Sequence, residues 1–146
     1  MSLRGTYALL LHLPTSHMIE VGALGAVDFP AGWYLYFGSA LGPGGLDARL
    51  ARHRRRNEKR FHWHIDYVRA VARLVEVWTS AGESRQECRW ASAAAKLPAA
   101  SLIARGLGAS DCRCSSHLLH FSQCPRLHEF ESLICTELSR EYIRNG

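Results

Sequence analysis

Residues 32–45 read GWYLYFGSALGPGG, and LARHRRR begins five residues later. Guanidinium groups make planar, bidentate contacts with phosphate oxygens, and glycines let backbone amides approach an anion closely. Arg49–Arg60 (RLARHRRRNEKR) carries seven Lys/Arg and one Glu, which leaves 11 basic and 12 acidic residues in the rest of the chain. The net charge of +5 is therefore a patch and not a general property. A patch of that sign suits phosphate, RNA, DNA or anionic lipid, although a solvated helix face accounts for such a run equally well. Aromatic flanks favour nucleic acid, because bases stack on such rings: Trp33, Tyr34 and Tyr36 precede the run, and Phe61, Trp63 and Tyr67 follow it.

Other residue types invite chemistry of their own. Cys112 and Cys114, with His117, His120 or Cys124, supply enough donors for zinc. Their spacing matches none of the common zinc patterns, so a structural zinc is not expected. In FHWHIDY, His64 is read as a site residue beside Asp66 and His62 as a surface residue. Ser84-Arg85-Gln86-Glu87 fits the capping box S-x-x-E, in which the glutamate bonds back to the helix start. Five cysteines at irregular spacing fit a reducing compartment, and the cytoplasm is the expected location.

The elements that must position these residues follow from pattern. Gly5–Leu13, Met18–Val21, Trp33–Gly38, Leu74–Thr79 and His117–Phe121 read as strands, with GALGAVDFPAG as a connection after the second. Leu46–Arg56, His62–Ala72, Ser84–Leu97 and Leu127–Arg144 read as helices. On the first helix Leu46 and Leu50 mark the buried line, Arg49 and His53 flank it, and Arg52 and Arg55 point away. In the last, Phe130, Leu133, Ile134 and Leu138 share a stripe. This order predicts an α+β fold, a small central mixed or antiparallel sheet flanked by helices. A single domain spans 1–146, with a core over about 5–121 and an extra helix over about 127–144. No apolar run approaches the ~20 residues that span a bilayer. The apolar stretch Ala8–Pro14 reads as a first strand, not a signal peptide.

GTY at Gly5–Tyr7, YFG at Tyr36–Gly38 and Arg49 in the helix that follows resemble the GIY-YIG nuclease superfamily. The longer phrases YFGSALGPGGL, HWHIDY and SDCRCSSHL resemble the subgroup catalogued as domain of unknown function 123, over about Gly5 to Phe121. The resemblance implies metal-dependent endonuclease chemistry with Mg²⁺ or Mn²⁺, on DNA more than RNA. It also implies a place in DNA repair, since the domain occurs attached to repair enzymes and a repair protein would be a partner. Carried onto this chain, Tyr7 is the general base or orients the water, and Tyr36 holds the phosphate or its water network. Arg49 stabilises the transition state, Glu87 binds the metal, and His53 and His64 join the site. Arg52, Arg54, Arg55, Arg56, Lys59 and Arg60, with Gly44 and Gly45, form the expected nucleic-acid surface. Three departures stand out. Gly5 and Gly38 are 33 positions apart, so Met18–Pro30 must form an inserted strand or hairpin. Phe37 replaces an isoleucine, and the asparagine that often follows the glutamate has no counterpart beyond Ser110 or Asp111. Competing readings remain for each residue: strand aromatics for Tyr7 and Tyr36, an arginine lying along the core edge for Arg49, and a helix cap for Glu87. At the level of function the competitors are a non-catalytic nucleic-acid-binding module and a protein-interaction module docking through the terminal helix.

Overall fold

Two nine-residue strands, β1 (Gly5–Leu13) and β4 (Gly32–Ala40), set the architecture by their pairing. In a computed structural model describing residues 3–109 and 116–146, they lie side by side and antiparallel, with Tyr7 facing Gly38 and Leu9 facing Tyr36. The chain between them holds β2 (His17–Glu20) and β3 (Ala26–Phe29), a hairpin forming a separate two-stranded sheet. The expected insertion is thus a hairpin, and it leaves the two glycine triplets adjacent despite their separation in sequence.

Then come α1 (Gly45–Arg54), α2 (His64–Arg69), β5 (Arg73–Ala81), α3 (Glu87–Ala94), β6 (Ala100–Leu102), β7 (Leu118–Phe121), α4 (Leu127–Ile134) and β8 (Ser139–Tyr142). The main sheet runs β6-β7-β4-β1-β5-β8 and is antiparallel at every pairing. The α+β fold is as expected, with the antiparallel option realised. Because β1 is central, both of its faces are covered, and its side chains alternate between two cores. Tyr7, Leu9, Leu11 and Leu13 pack under α1, α2 and the β2–β3 hairpin. Ala8 and Leu10 join Trp78, Trp90 and Phe130 under α3 and α4. Among the described residues no helix is long and apolar enough to cross a membrane.

Local readings of three segments differ from the structure. The predicted helix over 127–144 ends at Ile134, because Cys135 takes a left-handed conformation (φ 54°). The Glu131 carboxylate accepts the Leu138 amide at 2.7 Å, and the chain returns to the sheet as the edge strand β8. Arg140 anchors that strand to Glu76 at 2.7 and 3.1 Å. A short strand, β6, occupies a segment without a strand expectation. The third helix starts at Glu87, and no side chain caps it: Ser84 Oγ accepts from the Gln86 amide group at 2.7 Å, so the capping box does not form.

Glycine is sterically required in both triplets. A Cβ on Gly5 would sit 2.3 Å from the Ser80 carbonyl oxygen, and one on Gly38 would sit 2.4 Å from the Tyr7 hydroxyl. A Cβ on Gly42, by contrast, would meet nothing within 4 Å. Gly38→Ala is therefore expected to cost about 1–3 kcal/mol through overpacking, and Gly42→Ala to stay within about 0.5 kcal/mol of wild type. Denaturant unfolding with unchanged slope measures both.

Candidate active site

The site is assembled around α1. Gly44 and Gly45 take left-handed φ values of 86° and 57°, and the Gly45 amide bonds back to the Gly42 carbonyl at 3.1 Å. That turn launches the helix so that Leu46 and Leu50 enter the core and His53 is fully buried. The two glycines therefore serve the turn, with the Gly45 amide used internally and not held out for phosphate.

Asp66 fixes the helix in place. Its buried carboxylate accepts two hydrogen bonds from Arg52 (2.7 and 2.8 Å) and one each from the amides of His62 (2.8 Å) and Trp63 (2.9 Å). Lys59 approaches the same carboxylate at 3.5 Å. Burial alone would raise the Asp66 pKa, but Arg52 and the two amides hold it well below the usual carboxylate range. At the other end of α1, Arg69 caps the helix by donating to the carbonyls of His53 and Arg54, each at 2.9 Å.

Several members of the basic run are thereby engaged in holding the fold. Arg52 and Lys59 serve Asp66, Arg54 pairs with Glu141 at 2.5 Å, and Arg56 donates to the Gly146 carbonyl at 2.8 Å. Of the six basic residues expected to face a polyanion, Arg54, Arg55 and Arg60 are exposed, Arg54 in its pair with Glu141, and Arg52, Arg56 and Lys59 are half-buried. The reason is that tertiary carboxylates and helix-end carbonyls take up donors that helical phase alone turns outward.

Arg49 and His53 emerge on the inner side, as expected. Nε2 of His53 lies 2.7 Å from the Tyr7 hydroxyl. Tyr36 and Trp63 box the imidazole with ring centroids at 5.8 and 6.0 Å. Desolvation, reinforced by Lys59, lowers the His53 pKa from about 6.5 to about 3, so the ring is neutral. Burial pushes Tyr7 up to about 12 against the pull of Arg49, and raises Tyr36 well above 10. Nδ1 of His53 is buried and has no hydrogen-bond partner among the described residues.

Beyond this pair, a cleft of about 140 Å³ opens beside β4, where β7 no longer covers the strand. Tyr36, Ser39, Arg49, Trp63 and Glu87 line it. Arg49 donates to the Ser39 carbonyl at 3.1 Å and stacks against Trp63 at 4.7 Å. Glu87, at the start of α3, is 7% exposed and accepts a short hydrogen bond from the Ser39 hydroxyl. Glu87, expected to hold a metal, and Arg49, expected to hold phosphate, line the same cleft. His64 stands one step back: its Nδ1 accepts the Gly108 amide at 2.9 Å, positioning a wall of the cleft.

Sequence reasoning missed Ser39 and Arg85 on the cleft wall, read His117 only as a zinc donor and read Trp63 only as a base-stacking flank. For Ser39 the two-residue alternation of β4 was a usable signal, since it shares a face with Phe37. Ser110, Asp111, Cys112 and Cys114 lie outside the described residues. His120, a proposed zinc donor, uses both ring nitrogens internally, on Ser101 Oγ at 3.1 Å and the Ala31 carbonyl at 3.0 Å.

Residues 6–140 match the family described as domain of unknown function DUF123. The chain belongs to that family. The DUF123 match takes in every cleft residue named above and runs on through α4 into β8, beyond the Phe121 limit expected from sequence. Among curated proteins and among solved structures, none matches the chain.

Two outcomes are expected of the DUF123 chain. Asp66→Asn strands Arg52 and Lys59 beside a neutral group and should cost about 3–5 kcal/mol in denaturant unfolding. His53 is held neutral, so its contribution to stability is complete above its unfolded value of about 6.5 and is lost as pH falls toward its folded value of about 3. The thermal midpoint of wild type should therefore fall more steeply between pH 6.5 and pH 4 than that of His53→Gln.

Proposed function

We propose that this DUF123 chain hydrolyses a phosphodiester bond of nucleic acid, DNA in preference to RNA, in the cleft beside β4. The observation that carries the reading is the convergence of a guanidinium (Arg49), a carboxylate (Glu87) and a phenol (Tyr36) in one cleft, with the Tyr7–His53 pair behind them. The preference for DNA, like the GIY-YIG relationship, is taken from the resemblance of the two glycine triplets.

A metal belongs to such chemistry, and the donor set bears on its identity. Among the described residues no group of three or more His, Cys, Asp or Glu converges, which does not suit a closed protein cage. One shielded carboxylate beside a hydroxyl fits a hard cation that keeps most of its waters, Mg²⁺ or Mn²⁺, with Glu87 as its protein ligand. When bound, such an ion supplies charge neutralisation and a more acidic water.

The chain's own groups supply the rest. Arg49, held by the Ser39 carbonyl and the Trp63 ring, presents its remaining donors to phosphate oxygens as charge builds on them. Tyr36 offers a hydroxyl to the phosphate or to the attacking water. The Tyr7 hydroxyl lies where a Gly38 side chain would be, and Gly38 lines the cleft. With its pKa near 12, Tyr7 is a poor base at neutral pH. It accepts a water proton only while passing its own to His53 Nε2, which is neutral and 2.7 Å away. A phosphate in the cleft favours the imidazolium that results.

Cleavage of plasmid and oligonucleotide substrates with Mg²⁺, Mn²⁺ or EDTA tests the reading. Metal-dependent nicking is expected, reduced about 10²-fold or more in Arg49→Ala, Glu87→Ala and Tyr7→Phe, with thermal melts confirming that each variant folds. Wild-type nicking by Glu87→Ala would remove the metal role. Salt-sensitive binding without any cleavage would leave a binding module on the same fold.

A further inference from the structure

A second polar pocket, of about 290 Å³, lies on the α3 face of the sheet and is lined by Thr6, Ser80, Gln86, Arg89 and Thr136 among others. It neighbours the cleft through paired strands. Thr6 stands opposite Ser39 on β4, which lines the cleft, and opposite Ser80 on β5, which lines the pocket. Pocket and cleft also share the start of α3, with Glu87 facing the cleft and Gln86 and Arg89 facing the pocket.

The pocket is equipped for an anion. The first intrahelical bond of α3 runs from the Trp90 amide to the Gln86 carbonyl, so the preceding turn has amide donors without helical acceptors, and no side chain caps them. Arg89 is anchored through one nitrogen to the Ile134 carbonyl, leaving the rest of its fork available. Thr6 supplies an independent sign. It is 98% buried (2% exposed), it lines the pocket, and its hydroxyl makes no hydrogen bond to another described residue. The pocket leaves that hydroxyl open to a ligand oxygen. Nearby carboxylates are engaged elsewhere, Glu83 with Arg4 at 3.4 Å and Glu87 with Ser39 and Arg85.

We propose that this pocket is a second phosphate subsite, which takes a backbone phosphate next to the one held in the cleft. The inference rests on the nucleic-acid reading above for its ligand, while the pocket's affinity for phosphate itself does not depend on turnover. One strand spacing, about 4.8 Å, separates Thr6 from Ser39, a step short enough for neighbouring phosphates of one strand to occupy both sites. Arg89 and Thr6 are then residues that bind and position substrate without touching the reacting atoms.

Titration of ¹⁵N-labelled protein with inorganic phosphate at low ionic strength tests the subsite directly. Saturable shifts are expected at the amides of Ser80, Gly82, Gln86 and Arg89, with affinity reduced about fivefold or more in Thr6→Val and in Arg89→Gln and retained in Arg49→Ala. Thr6→Val keeps the side-chain shape, so its melting temperature should match wild type. On an oligonucleotide, Arg89→Gln should raise Kd and KM, leave kcat within about twofold, and reduce the slope of log K against log salt by about one. Absent shifts at these amides, or shifts that both variants leave unchanged, would overturn the subsite. Phosphate binding here without nicking by the wild type would retain the subsite and sink the nuclease reading. Nicking with no phosphate response in this pocket would do the reverse.

Discussion

Asp66 is fully buried and ionised, and the arrangement of the cleft depends on how its charge is satisfied. An isolated carboxylate in a protein interior is strongly unfavourable. This one is offset by a bidentate arginine, a lysine and two backbone amides. Those bonds have a structural consequence beyond their energy. Arg52 belongs to α1, and the amides belong to the turn that begins α2, so the carboxylate locks the two helices in one register. That register sets Trp63 against both Arg52 (4.4 Å) and Arg49 (4.7 Å), and turns His53 toward Tyr7.

The cleft then joins a cationic wall to a neutral floor. Burial leaves His53 unprotonated and Tyr7 a phenol, so neither carries charge at neutral pH. Arg49 is the cation among the cleft-lining groups inside, with Arg85, 69% exposed at the side chain, at its rim. Glu87 supplies the opposing charge within reach of the Ser39 hydroxyl. On the proposed reading, such a set would receive a phosphate together with a divalent cation, since each compensates the charge of the other. Arg52 and Lys59 are taken up by Asp66 and close the fold around the site.

The sequence made some of this legible because local rules governed it. The triplets GTY and YFG lie on strands whose pairing forces glycine at Gly5 and Gly38, and the inserted hairpin follows from the spacing between them. Helical phase put Arg49 and His53 beside the buried line of α1, where they are found. It failed for Arg52, because no count of charges along a helix reveals a partner such as Asp66 that a later turn brings in. It failed again at the last helix. Leu138 continues the apolar period of Phe130 and Ile134, yet it is buried by a turn at Cys135 and not by another helical turn. Two-residue alternation and helical period describe each element correctly, and neither reports where an element stops for tertiary reasons.

The most direct test of the account is a crystal structure of Glu87→Gln with a short DNA oligonucleotide bound. A backbone phosphate seated in the cleft beside β4, in contact with the Arg49 guanidinium and within hydrogen-bond reach of the Tyr36 hydroxyl, is the predicted result. An oligonucleotide lying on another face of the protein, with the cleft left to solvent, would contradict it.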